Sequence, residues 1–232
     1  MRSRRAKGPY EQATVMFEQI IRALETPPII IGYGFGAMIT QILLDRGWGA
    51  AGVAIAPAPI KGILRCSTLS MVGAILGDAL RDRKVTSLTA AQFHRRYANT
   101  LSESESRAVF ERYVVPGPIR MLLQTAFANF VPQAATSVNF RNSTRAPLLL
   151  VAAGEDLITP PSLVKANFDL YRQSKAETDY KEFPEKSHFM IGEKDWDKVA
   201  DYVLGWALCR SNGSKLTAVS NKTDTWSVQL ST

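Results

Sequence analysis

Cysteine is nearly absent: the chain has only Cys66 and Cys209. They lack CxxC spacing and a neighbouring histidine, which excludes a disulfide framework and a cysteine metal centre. No apolar run approaches the roughly 20 residues that cross a bilayer. The basic start, "MRSRRAKGPYEQ", has no apolar stretch behind it and is not a secretory signal. A reducing, cytoplasmic setting away from the membrane is therefore expected, and the triplets at Asn142, Asn212 and Asn221 carry no glycan there. The net charge is +7, but Arg2, Arg4, Arg5 and Lys7 crowd into the first seven residues. No aromatics interleave with them and no nucleic-acid motif follows, so a solvated terminus is expected and no nucleic-acid partner.

What is present is a rhythm of short apolar runs and helical stretches. Residues 10–25 place Val15, Phe17, Ile20, Ile21 and Leu24 near helical spacing, and Pro27-Pro28 closes them. "IIIG" then has strand length, residues 36–47 read as a helix, and "AGVAIAPAP" reads as a buried strand. From 60 to 145 the texture becomes helical patches joined by Pro, Gly and Ser. There Ser102 and Glu105 form a capping box. Strand rhythm resumes at "LLLVAAGEDLITP", followed by a helix, the alternating "TDYKEFP" and a terminal helix; residues 211–232 are a polar tail. Strands separated by helices predict an α/β three-layer sandwich with a mostly parallel sheet. Ligands gather at the carboxyl ends of such strands.

Three turns fall at those ends. Gly32-Tyr33-Gly34-Phe35-Gly36 has the spacing of G-x-S-x-G, with Gly34 where the serine would stand. Asp156 follows "LLLVAAGE", and His188 follows "DYKEF". The order is that of a Ser-Asp-His triad: a histidine takes and returns a proton near neutral pH, and a buried carboxylate fixes its tautomer. A dinucleotide loop is excluded because no Asp or Glu closes the second strand. His94, in "FHRRY", reads as solvated; Trp48, Trp196 and Trp206 read as packing residues.

These turns resemble the α/β-hydrolase fold superfamily over roughly residues 10–208. "GEDLITP" is similar to the family's acid turn, "EFPEKSHF" to its histidine turn, and the stretch 60–145 stands where its helical cap is inserted. The resemblance implies a core formed by 1–59 and 146–210, the cap at 60–145 and a disordered tail at 211–232. It implies His188 as base, Asp156 as its orienting acid, Gly34 as the vacant nucleophile position and the Phe35 backbone N–H as oxyanion donor. The partner it implies is a small apolar or ester-like molecule. No cofactor and no metal are implied.

Two departures qualify this. Gly34 cannot form an acyl-enzyme, and neither Tyr33 nor Phe35 is expected to replace it, because the turn points its neighbours away. Only one helix is expected before the elbow strand, where the family has several strands, one of them followed by the loop with the second oxyanion N–H; an incomplete gene product, marginal stability or self-association through an exposed "IIIG" edge strand is therefore expected. The expectation is a descendant of a hydrolase of small esters, lactones or thioesters, with serine-dependent hydrolysis lost or very weak. A non-hydrolytic tailoring enzyme using His188–Asp156 as general base, and a ligand-binding or scaffolding pseudoenzyme, stay open beside it.

Overall fold

The computed structural model describes residues 8–63, 84–132 and 134–211. The patch at 71–82, Cys66 and the tail beyond Ser211 lie outside them.

Four parallel strands form the sheet: β1 (Ile29–Tyr33), β2 (Ala51–Ile55), β5 (Leu148–Ala153) and β6 (Thr178–Phe183), in the order β1-β2-β5-β6. Two further strands, β3 (Val85–Thr86) and β4 (Gly117–Pro118), make a short antiparallel ladder apart from it. The helices are α1 (Pro9–Arg22), α2 (Phe35–Asp45), α3 (Ala90–Arg96), α4 (Glu103–Tyr113), α5 (Ile119–Ala126), α6 (Pro161–Tyr171) and α7 (Trp196–Ser211).

Every residue of β2 and β5 is buried, which is why they read as unbroken apolar runs. Strand side chains alternate faces, so Val53, Leu149, Val151 and Ala153 meet Val199, Val203 and Ala207 of α7. Ala54, Leu148, Leu150 and Ala152 meet Ala37 and Leu44 of α2 and Val164 and Tyr171 of α6 on the other face. Fully burying a Leu or Val side chain contributes about 1.5–3 kcal/mol, so these two central strands anchor the core. The three-layer expectation holds. The helix read at 10–25 ends at Arg22, where the backbone turns ahead of Pro27.

Two capped helices, α3 and α4, stand in the stretch 88–115. Ser102 caps α4 through the expected box with Glu105, and Thr89 caps α3 through a second box with Gln92. Each cap satisfies N–H groups that a new helix leaves open, so residues 97–102 turn rather than continue α3.

At β1 the sheet stops among the described residues. Ala50 N–H donates to Pro28 O and Gly34 N–H to Ile55 O, so the even-numbered residues of β1 bond to β2. The N–H and C=O groups of Ile29, Ile31 and Tyr33 therefore point outward. Ile31 is 45% exposed and lines an apolar cleft of about 280 Å³ with Ile191, Trp196, Val203 and Leu204. Trp196, expected to be packed, is 54% exposed there, at the start of α7 beside the edge strand β1.

Candidate active site

The three turns come together at the carboxyl end of the sheet. Gly34, with φ 56° and ψ −114°, is the residue between β1 and α2 and stands at the N-cap of the helix. L side chains rarely adopt that φ. Its backbone is held at both ends: its N–H donates to Ile55 O, and its C=O accepts from Ala58 N–H. The two flanking glycines divide the work. A Cβ on Gly32 would collide with the Gly36 backbone and with Thr40, whereas one on Gly36 would meet nothing within 4 Å among the described residues. Gly32 brings strand and helix together; the Gly36 position is sterically open.

Asp156 is buried in the turn after β5, and each of its oxygens is used. Oδ1 accepts from the N–H groups of Ile158 and Thr159, both at 2.7 Å. Oδ2 accepts from Thr159 Oγ1 at 2.8 Å and from His188 Nδ1 at 2.6 Å. Burial alone would raise the Asp156 pKa. The His188 hydrogen bond and charge, with the Thr159 donors, outweigh it and hold the carboxyl below its ordinary range. An ionised Asp156 only accepts, so the proton on His188 sits at Nδ1 and leaves the Nε2 lone pair free.

That lone pair faces the elbow. The nearest described atom to a Cβ placed on Gly34, beyond its chain neighbours, is His188 Nε2 at 4.0 Å. The structure thus brings Gly34, Asp156 and His188 into one constellation. Phe35 is the first residue of α2, where amide N–H groups have no partner within the helix, and its N–H makes no backbone bond among the described residues. A helix N-terminus favours developing negative charge beside Gly34.

Tyr33 lies beneath the histidine turn. Its hydroxyl donates to His188 O at 2.6 Å and lies 2.7 Å from Tyr97 Oη. With that single proton committed to a carbonyl, Tyr97 is the donor between the two phenols. Their rings lie 5.2 Å and 4.7 Å from the His188 ring. Burial, first of all, raises both phenol pKa values, so both keep their protons at neutral pH. The alternation of β1 carries Tyr33 to the α7 face and under the histidine turn.

A buried carboxylate, Glu193, ties down the same turn. It accepts from the Ser187 N–H at 2.9 Å, from the Ser187 hydroxyl and from Thr100 Oγ1 at 2.8 Å. The segment between β2 and β5 reaches both turns: Phe189 N–H donates to Tyr97 O, and Asn99 Nδ2 donates to Glu155 O. His94, expected to be solvated, is half-buried on α3, and its Nδ1 has no partner among the described residues. It does not join the site. No cluster of three or more His, Cys, Asp or Glu suited to a metal occurs among the described residues.

Sequence reasoning missed Thr159, Tyr33, Tyr97 and Glu193. Thr159 was within reach, since an Asp accepting from residues two and three further on is a common local turn. Tyr97 and Glu193 carry no local signal.

A parallel sheet with helices on both faces, an acid–histidine pair and a glycine-flanked elbow define an α/β hydrolase architecture. Residues 2–202 match the family model described as "Alpha/beta hydrolase family", so the chain belongs to that family. No curated protein matches it. Among solved structures it is similar to the monoacylglycerol lipase of Paleococcus ferrophilus, at 15% identity and a TM-score of 0.59, over 90% of this chain and 78% of the lipase. It is similar to an esterase from Exiguobacterium antarcticum at 16% identity and a TM-score of 0.58, over 86% and 74% of the two chains. The meta-cleavage product hydrolase CumD of Pseudomonas fluorescens IP01 matches at 13% identity and a TM-score of 0.57, over 91% and 76%. At these identities the likeness is one of fold.

Proposed function

We propose that this protein derives from a hydrolase of small esters, lactones or thioesters and that its serine-dependent hydrolysis is lost or very weak. His188 acts as general base, Asp156 orients it, and the Phe35 N–H faces the oxyanion. The single observation that carries this is the His188–Asp156 bond of 2.6 Å with Nε2 directed at Gly34. A base without its nucleophile retains proton transfer but not acyl-enzyme formation. The segment at 60–145 is proposed as the cap that selects a small apolar substrate. The same geometry favours a second reading, non-hydrolytic proton abstraction by the pair, because that chemistry needs no serine.

The test is esterase activity of Gly34→Ser on p-nitrophenyl acetate, with Gly34→Ser/His188→Ala as control. Loss of a triad member costs about 10⁴ to 10⁶ in turnover, so a competent site gains by a large part of that factor. A folded Gly34→Ser protein with no gain sinks the proposal.

A further inference from the structure

We infer that the His188–Asp156 pair activates a small primary alcohol in the space a serine side chain would fill, making the protein an acyltransferase to methanol-sized acceptors. This rests on the reading of the site proposed above. A serine side chain is a hydroxymethyl group, and methanol is the same group closed by hydrogen. Around the position of a Gly34 Cβ, His188 Nε2 is the one described atom within 4 Å apart from the adjoining residues. A methanol methyl group resting on the Gly34 Cα at van der Waals contact, further out than a bonded Cβ, is placed for its hydroxyl to donate to Nε2. Nε2 is free to accept because Nδ1 is bonded to Asp156 at 2.6 Å.

The step balances without a co-reactant other than the alcohol. As the alcohol oxygen attacks the acyl carbon, its proton passes to Nε2 and the carbonyl electrons move onto oxygen, opposite the Phe35 N–H. Collapse re-forms the C=O and breaks the bond to the leaving alkoxide, which takes the proton from Nε2. The products are the methyl ester and the original alcohol, and His188 returns neutral. Water in the same place gives the acid, so alcohol and water compete.

The experiment uses the full chain, p-nitrophenyl acetate and a methanol series, with methyl acetate and acetate quantified by NMR. The expected result is a methyl acetate-to-acetate ratio about tenfold or more above the buffer value at equal methanol, since a positioned nucleophile outcompetes one from solution. The excess should saturate with methanol and vanish in His188→Ala. Gly34→Ala, whose methyl group occupies the same place, should also lose it; circular dichroism checks that this variant folds. A ratio equal to that of buffer while Gly34→Ser is an active esterase overturns the inference and leaves the site reading standing. Inactivity of both the wild type and a folded Gly34→Ser protein overturns both.

Discussion

Gly34→Ser should cost stability even though it supplies the side chain the site lacks. At φ 56° and ψ −114° an L residue sits in a sparsely populated region, at a cost of about 1–3 kcal/mol. No collision adds to this, because His188 Nε2 is 4.0 Å from the new Cβ. A hydrogen bond from the new hydroxyl to Nε2 returns about 0.5–1.5 kcal/mol. The net is a loss of about 1 kcal/mol, which for a chain of this size lowers Tm by about 2–4 °C. Gly36→Ala is the internal control. It lies in α2 with open space around its Cβ position, and a glycine in a helix is about 0.5–1 kcal/mol worse than alanine. Its Tm should hold or rise. Thermal and urea unfolding of the two variants beside the wild type reads the difference. A Gly34→Ser Tm equal to or above the wild type, with Gly36→Ala falling, would refute the assignment of strain to position 34.

Other expectations follow from the same contacts. Gly32→Ala forces a Cβ into the Gly36 backbone and should destabilise by about 1–3 kcal/mol or more, read by the urea midpoint. Asp156 has a folded-state pKa below its ordinary one, so its ionised form stabilises the fold above about pH 4, the unfolded carboxylate value, and that contribution is lost as pH falls through the lower folded value. Asp156→Asn should therefore flatten the acid limb of Tm against pH; an unchanged limb would count against the pair. Tyr33→Phe leaves His188 O and the Tyr97 hydroxyl short of a partner and should cost about 1–3 kcal/mol, with a Tm equal to wild type as the contrary result. We propose that the outward groups of Ile29, Ile31 and Tyr33 let copies pair through β1. Ile31→Lys should then shift sedimentation toward the monomer, and an unchanged monomeric profile in both proteins would end that idea.

The order of strands and helices was legible because β2 and β5 are buried on both faces and so appear as uninterrupted apolar runs. Asp156 and His188 were legible because each follows a strand in a recognisable turn. The partners of the Tyr33 hydroxyl, His188 O and Tyr97, were not legible because they meet it only through long-range packing. Tyr97 reaches the histidine turn from a distant position, through the packing of α3, while Glu193 folds back onto Ser187 from six residues further along the same loop. Only the folded chain brings them there. Gly36 looked like Gly32 in the motif, yet only one of the two has backbone pressed against it.

The central claim is that an intact base stands opposite an elbow lacking its nucleophile. Its most direct test is intact-protein mass after incubation with an alkyl fluorophosphonate, which couples to a serine activated by histidine. The account predicts no adduct on the wild type, one adduct on Gly34→Ser at position 34, and none on Gly34→Ser/His188→Ala. Labelling of the wild type, or a folded Gly34→Ser protein that stays unlabelled, would contradict it.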